Sequence, residues 1–243
     1  MKTESPANVG QQYYRQVQSL LCRIVESQMA AVGDAAELVA DTVQRDGIIY
    51  GFGSGHSSMA AVELYYRAGG LANFDIIEDR TFGRAERLPG YAESLLDAYP
   101  ICSADLLIIV SNSGRNAAPV EMALGARRRG IVTIGITSLG HSRSVGSRAP
   151  GGRRLFEICD LVIDSCVPPG DATVEIGPPG AVRVCPASTL AAIFIANCIS
   201  GTAASILLER GVEPPVFCSA NLDGSDKRNR KLIDFMRRRI RGL

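Results

Sequence analysis

Residues 105–116 read DLLIIVSNSGRN: an unbroken apolar run, Leu106 to Val110, that opens directly into Ser111-Asn112-Ser113-Gly114-Arg115-Asn116. A short β-rich run with no polar alternation is the signature of a strand buried on both faces, as in a parallel sheet covered by helices on each side. The same grammar recurs outward from it. Upstream, Gly47 to Phe52 (GIIYGF) runs into Gly53-Ser54-Gly55-His56-Ser57-Ser58, Met59 to Tyr66 reads as helix closed by Gly69-Gly70, and Phe74 to Ile77 is a further β-type run. Downstream, Ala117 to Arg129 reads as helix, followed by β-type runs at Ile131 to Thr137 and Leu161 to Asp164. Strands alternating with helices predict an α/β three-layer sandwich around a parallel sheet.

The flanks are helical. Apolar residues recur at helical spacing over residues 11–31, and a second helix is expected after Gly33, with Asp34 as its N-cap. Ala187 to Leu208 is a long helix so apolar on most sides that it belongs in a core or a subunit interface. The Pro/Gly-rich stretches near 148–152 and 168–180 read as loops inside the fold. The resulting division is an N-terminal helical arm (1–34), a ligand-binding domain (35–215) and a C-terminal extension (216–243). From Lys227 to Leu243 that extension carries eight Lys or Arg against one Asp, with Leu232, Ile233, Met236 and Ile240 in one apolar stripe, a basic amphipathic helix.

Composition narrows the function classes. Apolar residues make up 46% of the 243 and charged residues 21%, enough to build a core without disulfide or metal staples. A net charge of +1 argues against a whole-protein design for nucleic acid or acidic membranes, and the basic C-terminal face lacks aromatic interleaving. Seven cysteines, an odd number with no CxxC pair, read as free thiols of a reducing compartment; with only two histidines, no metal site or cofactor is expected. Met1 to Gly10 is polar, and no stretch is expected to reach the roughly 20 apolar residues of a membrane span. The expectation is a soluble cytoplasmic protein.

In an open parallel sheet, ligands bind beyond the carboxyl ends of the strands. Two loops at such ends, Gly53 to Ser58 and Ser111 to Asn116, combine glycines, serine hydroxyls and the start of a helix. Backbone N–H groups at a helix start favour an anion, and hydroxyls add neutral donors that wrap a phosphate. A P-loop would need a Gly-Lys-Ser/Thr ending, and the first loop lacks dinucleotide spacing.

The pair GFGSGHSS and IIVSNSGRNAAPVEMALGARRRGIVTIGIT resembles the sugar isomerase (SIS) fold family, over roughly residues 35–210. That family includes phosphoheptose isomerase, the isomerase domain of glucosamine-6-phosphate synthase and N-acetylmuramic acid 6-phosphate etherase. The resemblance implies a five-stranded parallel sheet in flavodoxin-like order. It also implies a sugar phosphate as ligand, and a homodimer or larger assembly whose site lies near the subunit junction. Ser111, Ser113 and Asn116 match phosphate-binding positions, Asn112 a position that adds contacts, and Ser57 a first-loop serine that touches the sugar or its phosphate. Gly53, Ser54, Gly55, Ser58 and Gly114 complete the two loops, and Pro186-Ala187-Ser188-Thr189 looks like the turn opening the family's last long helix. The chain as a whole, including SANLDGSDKRN, is similar to a subgroup of small SIS proteins.

Two positions depart from the catalytic members. The family glutamate on the helix after the first loop falls on Arg67, and the last-helix histidine of phosphoheptose isomerase is absent from Ile195-Ala196-Asn197-Cys198. Isomerisation or elimination needs a base next to the substrate. His56, with an intrinsic pKa near neutrality, and Glu63, about one helical turn before Arg67, are the candidates. Glu78, Asp79, Asp171 and Glu175 are further acids near strand ends or in the proline-rich loop. The readings left open are an isomerase or lyase on a sugar phosphate, a phosphosugar sensor, and a regulatory subunit.

Overall fold

The protein is described as a computed structural model covering residues 8–240 and 242–243. Five strands, β1 (Ile49–Gly53), β2 (Phe74–Ile77), β3 (Leu106–Val110), β4 (Val132–Thr137) and β5 (Leu161–Asp164), form one parallel sheet in the order β2-β1-β3-β4-β5. The expected α/β sandwich and its flavodoxin-like order are what the structure shows. Side chains alternate across the pleat and feed two cores. Along β3, Leu106, Ile108 and Val110 join one core, built with α1 (Asn8–Gln44), α2 (Ser58–Leu64) and α6 (Ser188–Glu209). Leu107 and Ile109 join the other, with α3 (Tyr91–Asp97), α4 (Ala117–Arg128) and α7 (Ser225–Met236). A further short helix, α5 (Leu139–Ser144), follows β4.

Three expectations are corrected. The N-terminal region is one helix of 37 residues, with no break at Gly33 and no new start at Asp34. An interior glycine costs about 1 kcal/mol relative to Ala. That is small beside the burial of Val32, Ala35, Ala36 and Val39 around it. The segment 168–180 is not all loop: β6 (Ala172–Ile176) and β7 (Val182–Pro186) pair antiparallel, with Val174 opposite Val184. Tyr13 of α1 donates its hydroxyl to the Pro186 carbonyl at 2.7 Å, which fastens this hairpin to the helical layer. Lastly, α6 is long and apolar enough, by length and composition, to cross a membrane. In the structure Ala191, Ile195, Ile199, Ala203 and Leu207 are buried, and the helix lies against α1. At its end Arg210 reaches Asp41 of α1 at 2.7 Å and also pairs with Glu37.

The C-terminal stripe behaves as its spacing predicts: Met236 and Ile240 are buried, and Leu232 and Ile233 pack on the same core. The helix stops at Met236, however, and the basic residues beyond it lie in a turn segment. One of them closes the opposite end of the sheet from the serine loops. Fully buried Asp105 accepts from the Ile48 and Cys102 amides, both at 2.8 Å, and from Arg239 Nη2 at 2.6 Å. This carboxylate joins the starts of β1 and β3 to the C-terminal segment. Asp105→Ala strands a guanidinium and two amides, so it should cost about 3–5 kcal/mol, the range for breaking a buried pair. Urea unfolding of the two proteins measures this, and an unchanged midpoint would show the pair to be dispensable.

Candidate functional site

Both serine loops sit at the carboxyl end of the sheet, on the adjacent strands β1 and β3. After β1 the chain turns back sharply through a tight helical turn, Gly55–Ser57, into α2. A Cβ on Gly53 would stand 2.5 Å from the Ser57 carbonyl, so no other residue admits this turn. Ser57 N donates to the Ser54 carbonyl at 3.2 Å, and the Ser58 hydroxyl donates to the Gly55 carbonyl at 2.7 Å. The helix that follows is shorter than its sequence suggests. The chain leaves it at Tyr65, and Tyr66 has φ +40°.

The second loop is built against the end of β4. Ser111 N donates to the Ile136 carbonyl and Ser138 N to the Asn112 carbonyl, both at 3.0 Å. Gly114 N donates to Ser111 Oγ at 3.2 Å, curling the loop onto itself. Gly114 has φ +57°, and a Cβ there would lie 2.9 Å from Ser142 Oγ. Asn116 is the N-cap residue of α4, buried, and its Oδ1 has no partner among the described residues.

A narrow cleft brings the two loops together. It is lined by His56 and Ser57 from the first loop, Asn112 from the second, Ser188 and Thr189 from the start of α6, and Ser165 beyond β5. Val110, Ile136, Ala60 and Ala192 form its apolar walls. Asn112 Oδ1 and Ser165 Oγ are buried and unpaired among the described residues. Buried polar atoms without partners are rare in folded proteins, and two in one cleft are acceptor and donor positions for a polar ligand. The Ser54 hydroxyl, next to the cleft, is also buried and unpaired there. Gly53, Gly55, Ser58, Ser111, Ser113, Gly114 and Asn116 shape the two loops without forming the cleft wall itself.

Two contributions to this site escape the sequence reading. Ser165 follows the last strand directly, and the strand-end rule applied to β5 as well would find it. Asp171 reads in sequence only as a loop acid. It accepts from the Ala187 and Ser188 amides at 2.9 and 2.7 Å and from the Ser188 hydroxyl at 2.7 Å, which sets the start of α6 against the cleft.

The candidate acid–base groups occupy different positions. His56 lines the cleft and meets Phe82 edge-on, ring centroids 5.4 Å apart. Glu63 lies further along α2, where it pairs with Arg67 and accepts from Asn197 Nδ2 of α6 at 3.0 Å. It is not in the cleft wall. Asp79 accepts from Thr81 N and Oγ1, Gly83 N and the Tyr91 hydroxyl, at 2.6–3.0 Å. Burial pushes its pKa up, but these hydrogen bonds win and hold it below the ordinary value. It therefore organises the segment that packs on His56. Glu78 is exposed beside Arg80, and Glu175 accepts from Gly180 N at the hairpin tip.

Comparison with known proteins agrees with this geometry. The SIS domain family matches residues 12–138. A UPF0309 protein of Streptomyces coelicolor is 39% identical over 232 residues, covering 91% of this chain and 92% of that protein. Among solved structures, phosphoheptose isomerase from Neisseria gonorrhoeae has a similar fold (TM-score 0.54, 15% identity, 79% of this chain and 95% of that one). So do an Escherichia coli CFT073 protein solved in complex with a sugar phosphate (TM-score 0.53, 14% identity, 85% and 93%) and the Vibrio vulnificus NanR protein complexed with ManNAc-6P (TM-score 0.52, 15% identity, 96% and 70%). With a family match over more than half its length and a near full-length relative at 39% identity, the chain belongs to the SIS domain family.

Proposed function

We propose that this protein binds a sugar phosphate in the cleft between the two serine loops and acts on it by acid–base proton transfer, as an isomerase or lyase. The observation that carries the reading is the convergence in one cleft of Ser57, Asn112, Ser165, Ser188 and Thr189 with a single titratable side chain, His56. Ser111, Ser113 and Asn116 hold the phosphate at the start of α4, where amides and helix dipole favour an anion. His56 is the proton carrier within reach of a bound sugar. Glu63 is the alternative base, and it must release Arg67 to serve. Two solved structures of this fold with sugar phosphates bound, the Escherichia coli protein and NanR, support this ligand class.

A second reading is a phosphosugar sensor or regulatory subunit. It is favoured by the pairing of Glu63 with Arg67 and Asn197, which occupies the carboxylate nearest the catalytic position. NanR shows the fold bound to a phosphosugar.

The assembly we propose is a cytoplasmic homodimer. Tyr14, Val25 and Met29 of α1 and Leu190 and Leu208 of α6 are exposed apolar side chains on the helical layer, and all seven cysteines are free thiols.

Three measurements test these proposals. Ser113→Ala should weaken sugar-phosphate binding by about 1.5–3 kcal/mol, the range for a hydrogen bond to a charged group, with EDTA leaving binding unchanged. Calorimetry showing the reverse pattern removes the loop assignment. His56→Asn should lower turnover by about two to four orders of magnitude while sparing binding. A loss of that size in Glu63→Gln instead transfers the role to Glu63. A wild type that binds a sugar phosphate tightly without exchanging its C2 proton in deuterated water establishes the sensor. Light scattering at micromolar concentration should give twice the chain mass, and a monomer mass rules out the dimer.

A further inference from the structure

The flank of the second loop carries positive charge that its own fold does not neutralise. Arg115 follows Gly114, and its carbonyl accepts from Arg148 N at 2.7 Å, so the two arginines start from adjoining backbone. Neither of them, nor Arg87, makes an ion pair among the described residues. Arg115 Nε is buried and unpaired there, as is His141 Nδ1. Arg115 and then Arg87 hold the Arg148 guanidinium below its ordinary pKa, with Glu86 opposing them. Burial, and then Arg115, pushes the His141 imidazole down, with Asp171 opposing. These groups therefore sense one another in a single cluster.

The cluster is continuous with the cleft. His141 N donates to Ser138 Oγ at 3.1 Å, and Ser138 N donates to the carbonyl of Asn112, a cleft-lining residue. Asp171, which faces His141 from the other side, is committed to the first turn of α6. Guanidinium stays charged in proteins, so a cluster of arginines cannot relieve its repulsion by deprotonation. With buried N–H groups unpaired, the arrangement is stabilised by an anion whose oxygens match the planar fork. The phosphate loop has its own neutral donors and the helix start, and the arginines lie outside it.

We infer that the ligand carries a second anionic group, a carboxylate or a second phosphate, held by Arg115, Arg148 and His141 beside the phosphate loop. The inference rests on the phosphosugar reading and narrows its substrate class to doubly anionic sugars, such as phosphorylated sugar acids or bisphosphates.

The test is calorimetry with two probe pairs, each differing in the second anion: glucitol 6-phosphate against 6-phosphogluconate, and fructose 6-phosphate against fructose 1,6-bisphosphate. The doubly charged member of one pair should bind at least about tenfold more tightly, and the pair that shows it distinguishes carboxylate from phosphate. Arg148→Gln, at an exposed position, and Arg115→Gln should each erase most of that preference while leaving the affinity for the singly charged member within about threefold. Equal affinities within both pairs, or a preference that survives both substitutions, overturns the second subsite and leaves phosphosugar binding standing. Failure of all four probes and of inorganic phosphate to bind overturns the phosphosugar reading and this inference with it.

Discussion

Everything in this molecule follows from burying a parallel sheet on both faces. Once Leu106 to Val110 send alternate side chains into two separate cores, the backbone of β3 can meet solvent only at its ends. At the amino end the buried carboxylate of Asp105 takes up the free amides of Ile48 and Cys102, and Arg239 balances its charge. At the carboxyl end no such plug exists among the described residues. The chain instead turns through glycine and serine, and the polar groups it leaves there face a cleft. The two ends solve the same backbone problem in opposite ways, one by internal pairing and one by presenting donors outward.

The helical layer has a second task besides covering the sheet. α6 begins at the cleft with Ser188 and Thr189 and lies against α1. Its start is fixed by Asp171, which precedes the β6–β7 hairpin, and the hairpin is tied to α1 through Tyr13. A disturbance of the hairpin therefore reaches Ser188 through one carboxylate. Asp171 itself has φ +70° and Cys185, near the end of the hairpin, φ +63°. Non-glycine residues held in the left-handed region persist where surrounding contacts over-determine them.

How much of this is legible in the sequence? The five sheet strands are, because each is an apolar run bounded by turn residues and covered by helices. The two loops are too, since Gly53 and Gly114 sit where the backbone admits no side chain. The hairpin is not, because Gly177-Pro178-Pro179-Gly180 masks the alternating Ala172–Ile176 and Val182–Pro186 on either side, an edge ribbon with one buried valine. A split at Gly33 is what local propensity favours when the packing of α1 on α6 is out of view. Ser165, Asp171 and the Arg115–Arg148 cluster are unreadable as site elements, since each becomes one only through neighbours distant in the chain.

The departures at Arg67 and Asn197 gain a physical link that sequence could not supply. In the catalytic relatives that the chain resembles, the first position is a carboxylate, and phosphoheptose isomerase places a histidine on the last long helix. Here an arginine and an asparagine stand in those regions, and both bond to the same carboxylate, Glu63. The two differences are thus one change. Arg67 would be left without its counterion if Glu63 were lost, and Glu63 is fixed from both α2 and α6. A carboxylate engaged by a guanidinium and an amide is a poor base, because both partners stabilise its unprotonated form. It is a good brace between helices. Proton transfer at this site then falls to a group inside the cleft, and His56 is the titratable side chain that the geometry puts there.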